Sequence, residues 1–172
     1  MHGLNPSKLV GLFQTEKRRT ALKLSTKGRY GLRALIDLAV HDGEDAVSIQ
    51  SIADRQGISE SYLEQLVRLL KKAGLVISVR GAGGGYRLAK RPDQISVGDT
   101  LRALEGNLEA VTCSAFGEQP TCQGADVCVT KLVWKKINDA ITNTVDGIML
   151  DELVEESRQI IEKQGIRKTP VC

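Results

Sequence analysis

Residues 49 to 88, IQSIADRQGISESYLEQLVRLLKKAGLVISVRGAGGGYRL, constrain the fold more than any other stretch of the chain. They predict a helix, a tight turn, a second helix and two short strands joined by a glycine-rich tip. Ser48 is a cap for a short helix with Ile49, Ile52 and Ala53 on one face. Gly57 breaks that helix and Ile58 plugs the turn. Ser59 or Ser61 offers the next cap, and Glu64, three residues after Ser61, would complete a capping box. Leu63, Leu66, Val67 and Leu70 recur at helical spacing, which predicts a buried face, and Gly74 ends the helix. Leu75 to Val79 and Tyr86 to Leu88 are the expected hairpin arms, with Arg80 to Gly85 as the tip. This is the pattern of a winged helix-turn-helix, whose second helix enters the DNA major groove.

Charge points the same way. Between Gln65 and Pro92 there are seven basic residues (Arg68, Lys71, Lys72, Arg80, Arg87, Lys90, Arg91) and no acidic one. Such a face attracts phosphate and loses affinity as salt rises. The net charge of +3 hides an asymmetry, because residues 99 to 162 hold twelve acidic and five basic side chains. No apolar run approaches the roughly 20 residues that span a bilayer, and Met1 to Leu24 has no signal-like apolar core. A cytoplasmic protein without a membrane partner is expected.

Residues 1 to 23 read as a basic tail, disordered rather than folded. Ser25 or Thr26 caps a first helix with Tyr30, Ala34, Leu35, Leu38 and Ala39 on its apolar face, ending near His41, a structural or solvated histidine rather than a ligand. Lys27, Arg29 and Arg33 flank its start, placed for phosphates. Ser96 caps a helix bearing Val97, Leu101 and Leu104 that ends near Gly106. Residues 107 to 128 lack periodicity and carry Cys113, Cys122 and Cys128. From Val129 a more apolar helix, with Leu132, Val133, Trp134, Ile137, Ala140 and Ile141, predicts a dimer seam. Gly147 breaks it before an acidic amphipathic helix, Met149 to Ile161. The fold expected is mostly α with a small β-wing: a winged helix-turn-helix DNA-binding domain over 24–106 and a cysteine-rich loop over 107–128. A dimerisation helix and a terminal helix over 129–163, and a tail over 164–172, complete it.

Eight residues separate Cys113 from Cys122, and five separate Cys122 from Cys128, among turn-forming neighbours. Thiolates suit zinc, copper(I) or iron–sulfur clusters. The spacing is not the paired C-x-x-C of a zinc ribbon or finger. Spacing alone leaves cluster, zinc and bare redox thiols open. No nucleophile–base pair and no P-loop lysine is present, and the glycines at 81 to 85 run into a strand pattern, so no enzyme is expected.

Three segments carry a family resemblance: LSTKGRYGLRALIDLA (24–39), ISESYLEQLVRLLKKAGLVISVRGAGGGYRLAK (58–90) and CQGADVCVTKLVWKKI (122–137). They resemble the IscR-type iron–sulfur cluster regulators of bacteria, over roughly residues 24 to 155. The resemblance implies a homodimeric transcription regulator that binds a promoter operator in double-stranded DNA. It implies a [2Fe–2S] cluster whose state selects promoters, chiefly those of cluster-assembly genes, with cluster-assembly proteins as cluster donors. Cys113, Cys122 and Cys128 fall on the cluster cysteines. Ser61, Glu64 and Gln65 fall on base-facing positions of the recognition helix, and Arg80 on a wing arginine that enters the minor groove. Lys27, Tyr62, Arg68, Gly81 and Gly83 complete the expected DNA-binding set.

The chain departs from the family in places. The first cysteine gap is three residues longer than in the best-known members. The usual fourth ligand, a histidine three residues after the last cysteine, is Lys131 here. The aspartate that serves in the nitric-oxide-sensing branch is Arg29. Candidates for the fourth ligand are Glu118, Asp126, a small thiol, water or a deprotonated Lys131. Cys172 is too distant to be favoured. Such regulators usually begin Met-Lys-Leu-Ser-Thr, which matches Leu22-Lys23-Leu24-Ser25-Thr26; a TTG start there would leave residues 1 to 21 untranslated. The alternative on the same fold is a cluster-free repressor that senses thiols or zinc, for instance in cysteine metabolism.

Overall fold

The computed structural model describes residues 24–43, 45–81, 83–111, 113, 116 and 122–164. The expectations for the tail 1–23, for Glu118 and for Cys172 fall outside them. Ser25 starts α1 (Thr26–His41), its hydroxyl accepting from the Lys27 amide. The inner face of α1 buries Ala34, Leu35, Leu38 and Ala39. Asp37 is buried on that face as well, fully enclosed. His41 is structural, its Nδ1 lying 2.8 Å from the Asp37 carbonyl oxygen.

Ser48 caps α2 (Ile49–Gln56) through the Ser51 amide. Gly57 then turns the chain at φ 62°, ψ 39°, a left-handed conformation that costs glycine no Cβ clash, and Ile58 is buried beneath it. Helix α3 (Glu60–Lys72) begins at Ser59, whose side chain makes no capping bond. The Ser61–Glu64 box does not form, because the helix starts two residues earlier than that box needs. Glu60 in the first turn and Lys71 and Lys72 in the last complement the helix dipole instead. Leu63, Leu66, Val67 and Leu70 are all buried, each worth about 1.5–3 kcal/mol against exposure.

Strands β1 (Val76–Val79) and β2 (Gly85–Leu88) pair antiparallel, Val76 with Leu88 and Val79 with Gly85. Gly85 is therefore strand rather than tip, and Leu75 precedes its strand. A further bridge ties the hairpin to the α1–α2 connector: the Val47 amide donates to the Tyr86 carbonyl at 3.0 Å, and the Tyr86 amide donates back at 2.8 Å. A Cβ on Gly85 would lie 2.4 Å from the Val47 carbonyl oxygen, so this close approach needs glycine. The wing is thus fastened to the body at its base.

A 3-10 turn, Pro92–Gln94, leads to α4 (Val97–Glu105), opened by a reciprocal capping box between Ser96 and Asp99. Helix α4 lies so close to α1 that a Cβ at Gly28 would meet Glu105 Oε1 at 2.6 Å, and one at Gly31 would meet Leu104 Cδ1 at 2.4 Å. Helix α5 (Thr130–Asp146) buries none of its residues. It is held to α4 by Arg102 and Asp146, 2.5 Å apart, and to the segment after α4 by the Ala110 amide, 3.0 Å from Asn138 Oδ1. Helix α6 (Leu150–Gln164) packs back on α1, with Leu150 and Val154 in the same core as Leu35 and Ile95. Of its apolar stripe, Leu150 and Val154 join the core of the winged domain, while Ile160 stays exposed. No helix among the described residues is long and apolar enough to cross a membrane.

Candidate nucleic-acid interface

Burying Leu63, Leu66, Val67 and Leu70 turns Ser61, Glu64, Gln65 and Arg68 outward on the opposite face of α3. With Lys27 from α1 and the half-buried Tyr62, they line a cleft of about 550 Å³. A second cleft of about 310 Å³ runs between α3 and the wing, lined by Glu64, Arg68, Lys71 and Tyr86. The expected recognition residues of helix and α1 start thus converge. Arg80, Gly81 and Gly83 sit exposed at the hairpin tip, where Gly81 has φ 120°. Hydroxyl, amide, carboxylate and guanidinium groups on one helix face can read base edges, and flanking cations can hold phosphates.

Several basic side chains are structural instead. Arg33 donates to the Gln56 carbonyl at 2.9 Å and to Gln56 Oε1 at 3.2 Å, tying α1 to α2. It is not placed for phosphate as the sequence predicts. Arg87 pairs with Asp42 at 3.3 Å and donates to the Gly43 carbonyl, a second anchor for the wing. Arg91 pairs with Asp93 at 2.8 Å, and Lys71 donates to Ser78 Oγ at 2.9 Å. Arg68, Lys72, Arg80 and Lys90 remain exposed, with no ion pair among the described residues.

Tyr62 is held from α1. Its hydroxyl donates to Thr26 Oγ1 at 3.3 Å, and its ring stands edge-on to Tyr30, centroids 6.2 Å apart. Arg29 and Arg33 lie over the Tyr30 ring at 5.1 and 5.4 Å. Two acidic residues that sequence reasoning passed over set these elements. Asp37 accepts from Arg55 Nη2 at 2.7 Å and from Gln56 Nε2 at 2.9 Å, locking α2 to α1. Glu105 Oε1 accepts from the Ser25 amide (2.9 Å), the Ser25 hydroxyl (2.7 Å) and the Gly28 amide (2.8 Å) at the start of α1. Asp37 had one signal, a carboxylate among the apolar positions of the first helix.

Beyond α4, Cys113, Cys122 and Cys128 are free and half-exposed. The Thr130 hydroxyl, 3.1 Å from Cys128 Sγ, and the Lys131 backbone hold the Cys128 thiol below its ordinary range. Lys131 donates its ammonium to the Ala125 carbonyl, within the turn bracketed by Cys122 and Cys128. Among the described residues, no three His, Cys, Asp or Glu side chains lie together as a metal site.

Residues 24–156 match the family described as Rrf2, iron-dependent transcriptional regulator. The HTH-type transcriptional regulator IscR of Aliivibrio salmonicida is 44% identical over 147 residues, 84% of this chain and 86% of that one. Among solved structures, T. potens IscR superposes with a TM-score of 0.61 at 48% identity, covering 78% of this chain and 87% of its own. CymR, the global cysteine regulator of B. subtilis, gives 0.62 at 42% identity, covering 78% and 97%. The chain belongs to the Rrf2 family: it is a winged-helix transcription regulator of the IscR type, a DNA-binding protein and not an enzyme.

Proposed function

We propose that this regulator reports iron–sulfur cluster status through a [2Fe–2S] group held by Cys113, Cys122 and Cys128, and that it acts as a cytoplasmic homodimer on promoter operators of cluster-assembly genes. The observation that carries the reading is three free, half-exposed thiols confined to the segment between α4 and α5 of a DNA-binding fold. Soft thiolate donors fit such a group in kind, and one of them is already acidified. Lys131 does not fit as a fourth ligand, because its ammonium is committed to the Ala125 carbonyl and a ligand nitrogen must first lose its proton. Asp126 stays in contention within the described residues. The group would supply a state responsive to iron and oxidation. Drawn to one centre, the three cysteines would fix the path of the chain between α4 and α5, and so favour one pose of the recognition helices. Cluster-assembly proteins are the proposed donors.

Helix α5 exposes Leu132, Val133 and Ile137. A second copy is the partner such a strip fits, since paired half-sites require paired recognition helices. On each half-site Ser61, Tyr62, Glu64, Gln65 and Arg68 would face the major groove, and Arg80 would enter the minor groove between its phosphate walls, neutralising a phosphate there, with Lys27, Gly81 and Gly83 alongside phosphates as well. Arg80→Ala is therefore expected to lower the slope of log affinity against log salt by about 0.9. Arg87→Ala, which removes a wing anchor, should weaken binding at unchanged slope. Equal slopes for Arg80→Ala and the wild type would remove Arg80 from the phosphate count.

A second reading, a cluster-free sensor of thiols or zinc, is favoured by the acidified Cys128 and the committed Lys131. CymR, similar in structure, is a cysteine regulator. Anaerobic purification separates the two. The cluster reading expects a brown protein with about two iron and two sulfide per chain, bleached by Cys122→Ala and unaltered in visible spectrum by Lys131→Ala. A colourless protein that still binds DNA would favour the second.

A further inference from the structure

We propose that Glu105 is the positioning residue through which the segment after α4 is tied to DNA recognition. Glu105 is the last residue of α4, directly ahead of the stretch that carries the cysteines. Its Oε1 gathers three donors at the opposite end of the sequence: the Ser25 amide and hydroxyl and the Gly28 amide. The two amides are donors that a helix start leaves without intrahelical partners, so the carboxylate fixes where the first turn of α1 lies. Thr26, inside that turn, receives the Tyr62 hydroxyl at 3.3 Å, and Lys27 beside it lines the cleft shared with Ser61, Gln65 and Arg68. Among the described residues, the hydrogen bonds of Glu105 reach the recognition surface by way of α1. Two further contacts make the junction stiff. Gly106 donates to the Arg102 carbonyl at 3.0 Å, and the Ala110 amide is pinned by Asn138 of α5 at 3.0 Å. A change at the cysteines beyond has a short, hydrogen-bonded route to the start of α1. That second half of the proposal rests on the sensing role assigned above to the cysteines; the first half does not.

Charge and position make opposite forecasts, which allows a clean test. A carboxylate near DNA repels phosphate, so deleting it for charge alone strengthens binding. Deleting a positioning group weakens it. Glu105→Gln and Glu105→Ala carry the same charge, but only glutamine keeps an acceptor oxygen for the three donors. Affinities are measured on a duplex selected by the wild-type protein from a random-sequence pool, with poly(dI–dC) as the non-specific probe. Glu105→Ala is expected to bind the selected duplex at least about tenfold more weakly than Glu105→Gln, with the two equal on poly(dI–dC). Equal binding to the selected duplex overturns the proposal. Thr26→Val, which removes the acceptor for Tyr62 while leaving Glu105 in place, covers the case in which Glu105→Ala does not fold. It should lose affinity several-fold on the selected duplex alone, and unchanged binding counts against the route. The coupling is read by alkylating the thiols with iodoacetamide. The resulting change in affinity should shrink in Glu105→Ala, and a change of the same size overturns the relay. No change even in the wild type sinks the sensing role of the cysteines instead, leaving positioning to the alanine–glutamine comparison.

Discussion

Asp37→Ala is expected to lower the unfolding free energy by about 3–5 kcal/mol, the cost of stranding a buried charge partner. Asp37 is fully enclosed, and Arg55 Nε approaches both of its carboxylate oxygens, at 3.0 and 3.1 Å, while Nη2 approaches one at 2.7 Å. Gln56 Nε2 adds a fourth contact at 2.9 Å from a side chain that is itself buried. Alanine leaves the Arg55 guanidinium and one Gln56 donor facing the space that the carboxylate filled. Asp37→Asn, which retains one acceptor oxygen, should fall between alanine and the wild type. Urea unfolding followed by circular dichroism reads the difference as a shift in midpoint at constant slope. A loss below about 1 kcal/mol would mean that the pair is an exposed surface contact in effect. Because this cluster seats α2 on α1, surviving Asp37→Ala protein should also discriminate poorly between DNA sequences.

The second large effect belongs to the wing. Gly85→Ala places a methyl 2.4 Å from the Val47 carbonyl oxygen and 2.6 Å from its carbon. Both are backbone atoms, so no rotamer change relieves the clash. The hairpin must lift from the α1–α2 connector, breaking the reciprocal bonds of Val47 and Tyr86 at 3.0 and 2.8 Å. Overpacking and two lost hydrogen bonds together predict about 2–4 kcal/mol. Gly83→Ala is the control. Its added methyl meets nothing within 4 Å, and its stability should stay within about 0.5 kcal/mol of wild type. Thermal unfolding of both, with amide exchange at Val47 and Tyr86, checks the contrast. Equal stability of the two variants would show that the wing is not fastened at its base.

The helix-turn-helix is legible in the sequence because its signals act over a few residues. Ser48, Gly57, Gly74 and the spacing of Leu63, Leu66, Val67 and Leu70 each work within one or two turns of chain. The start of α3 is not legible, since Ser59 and Ser61 are both good caps and only docking against the core selects between them. Long-range polar anchors leave almost no local mark: Arg55 stands 18 positions after Asp37, and Glu105 stands 80 positions after Ser25. The same limit explains why counting basic residues overstates the phosphate-facing surface. Nothing in the local pattern distinguishes Arg80, exposed on the tip, from Arg87, paired with Asp42 across the wing base. Of the cysteine segment, composition and order are readable, whereas the hydrogen bond of Lys131 to the Ala125 carbonyl is a product of how the turn meets α5.

Gly28 and Gly31 carry a consequence for the order in which this chain folds. Two glycines among the first six residues of α1 cost about 1 kcal/mol each in helical tendency relative to alanine. Both lie where the side chains of Glu105 and Leu104 close in, leaving little room for a Cβ. The front of α1 is therefore a poor helix until α4, which follows it by more than fifty residues, arrives to close over it. Local nucleation favours α2 and α3, whose end signals at Ser48, Gly57 and Gly74 and whose apolar stripes are local, while the front of α1 awaits a late, long-range contact. In kinetic terms it should form on the native side of the folding barrier, so weakening it would speed unfolding and leave refolding nearly unchanged.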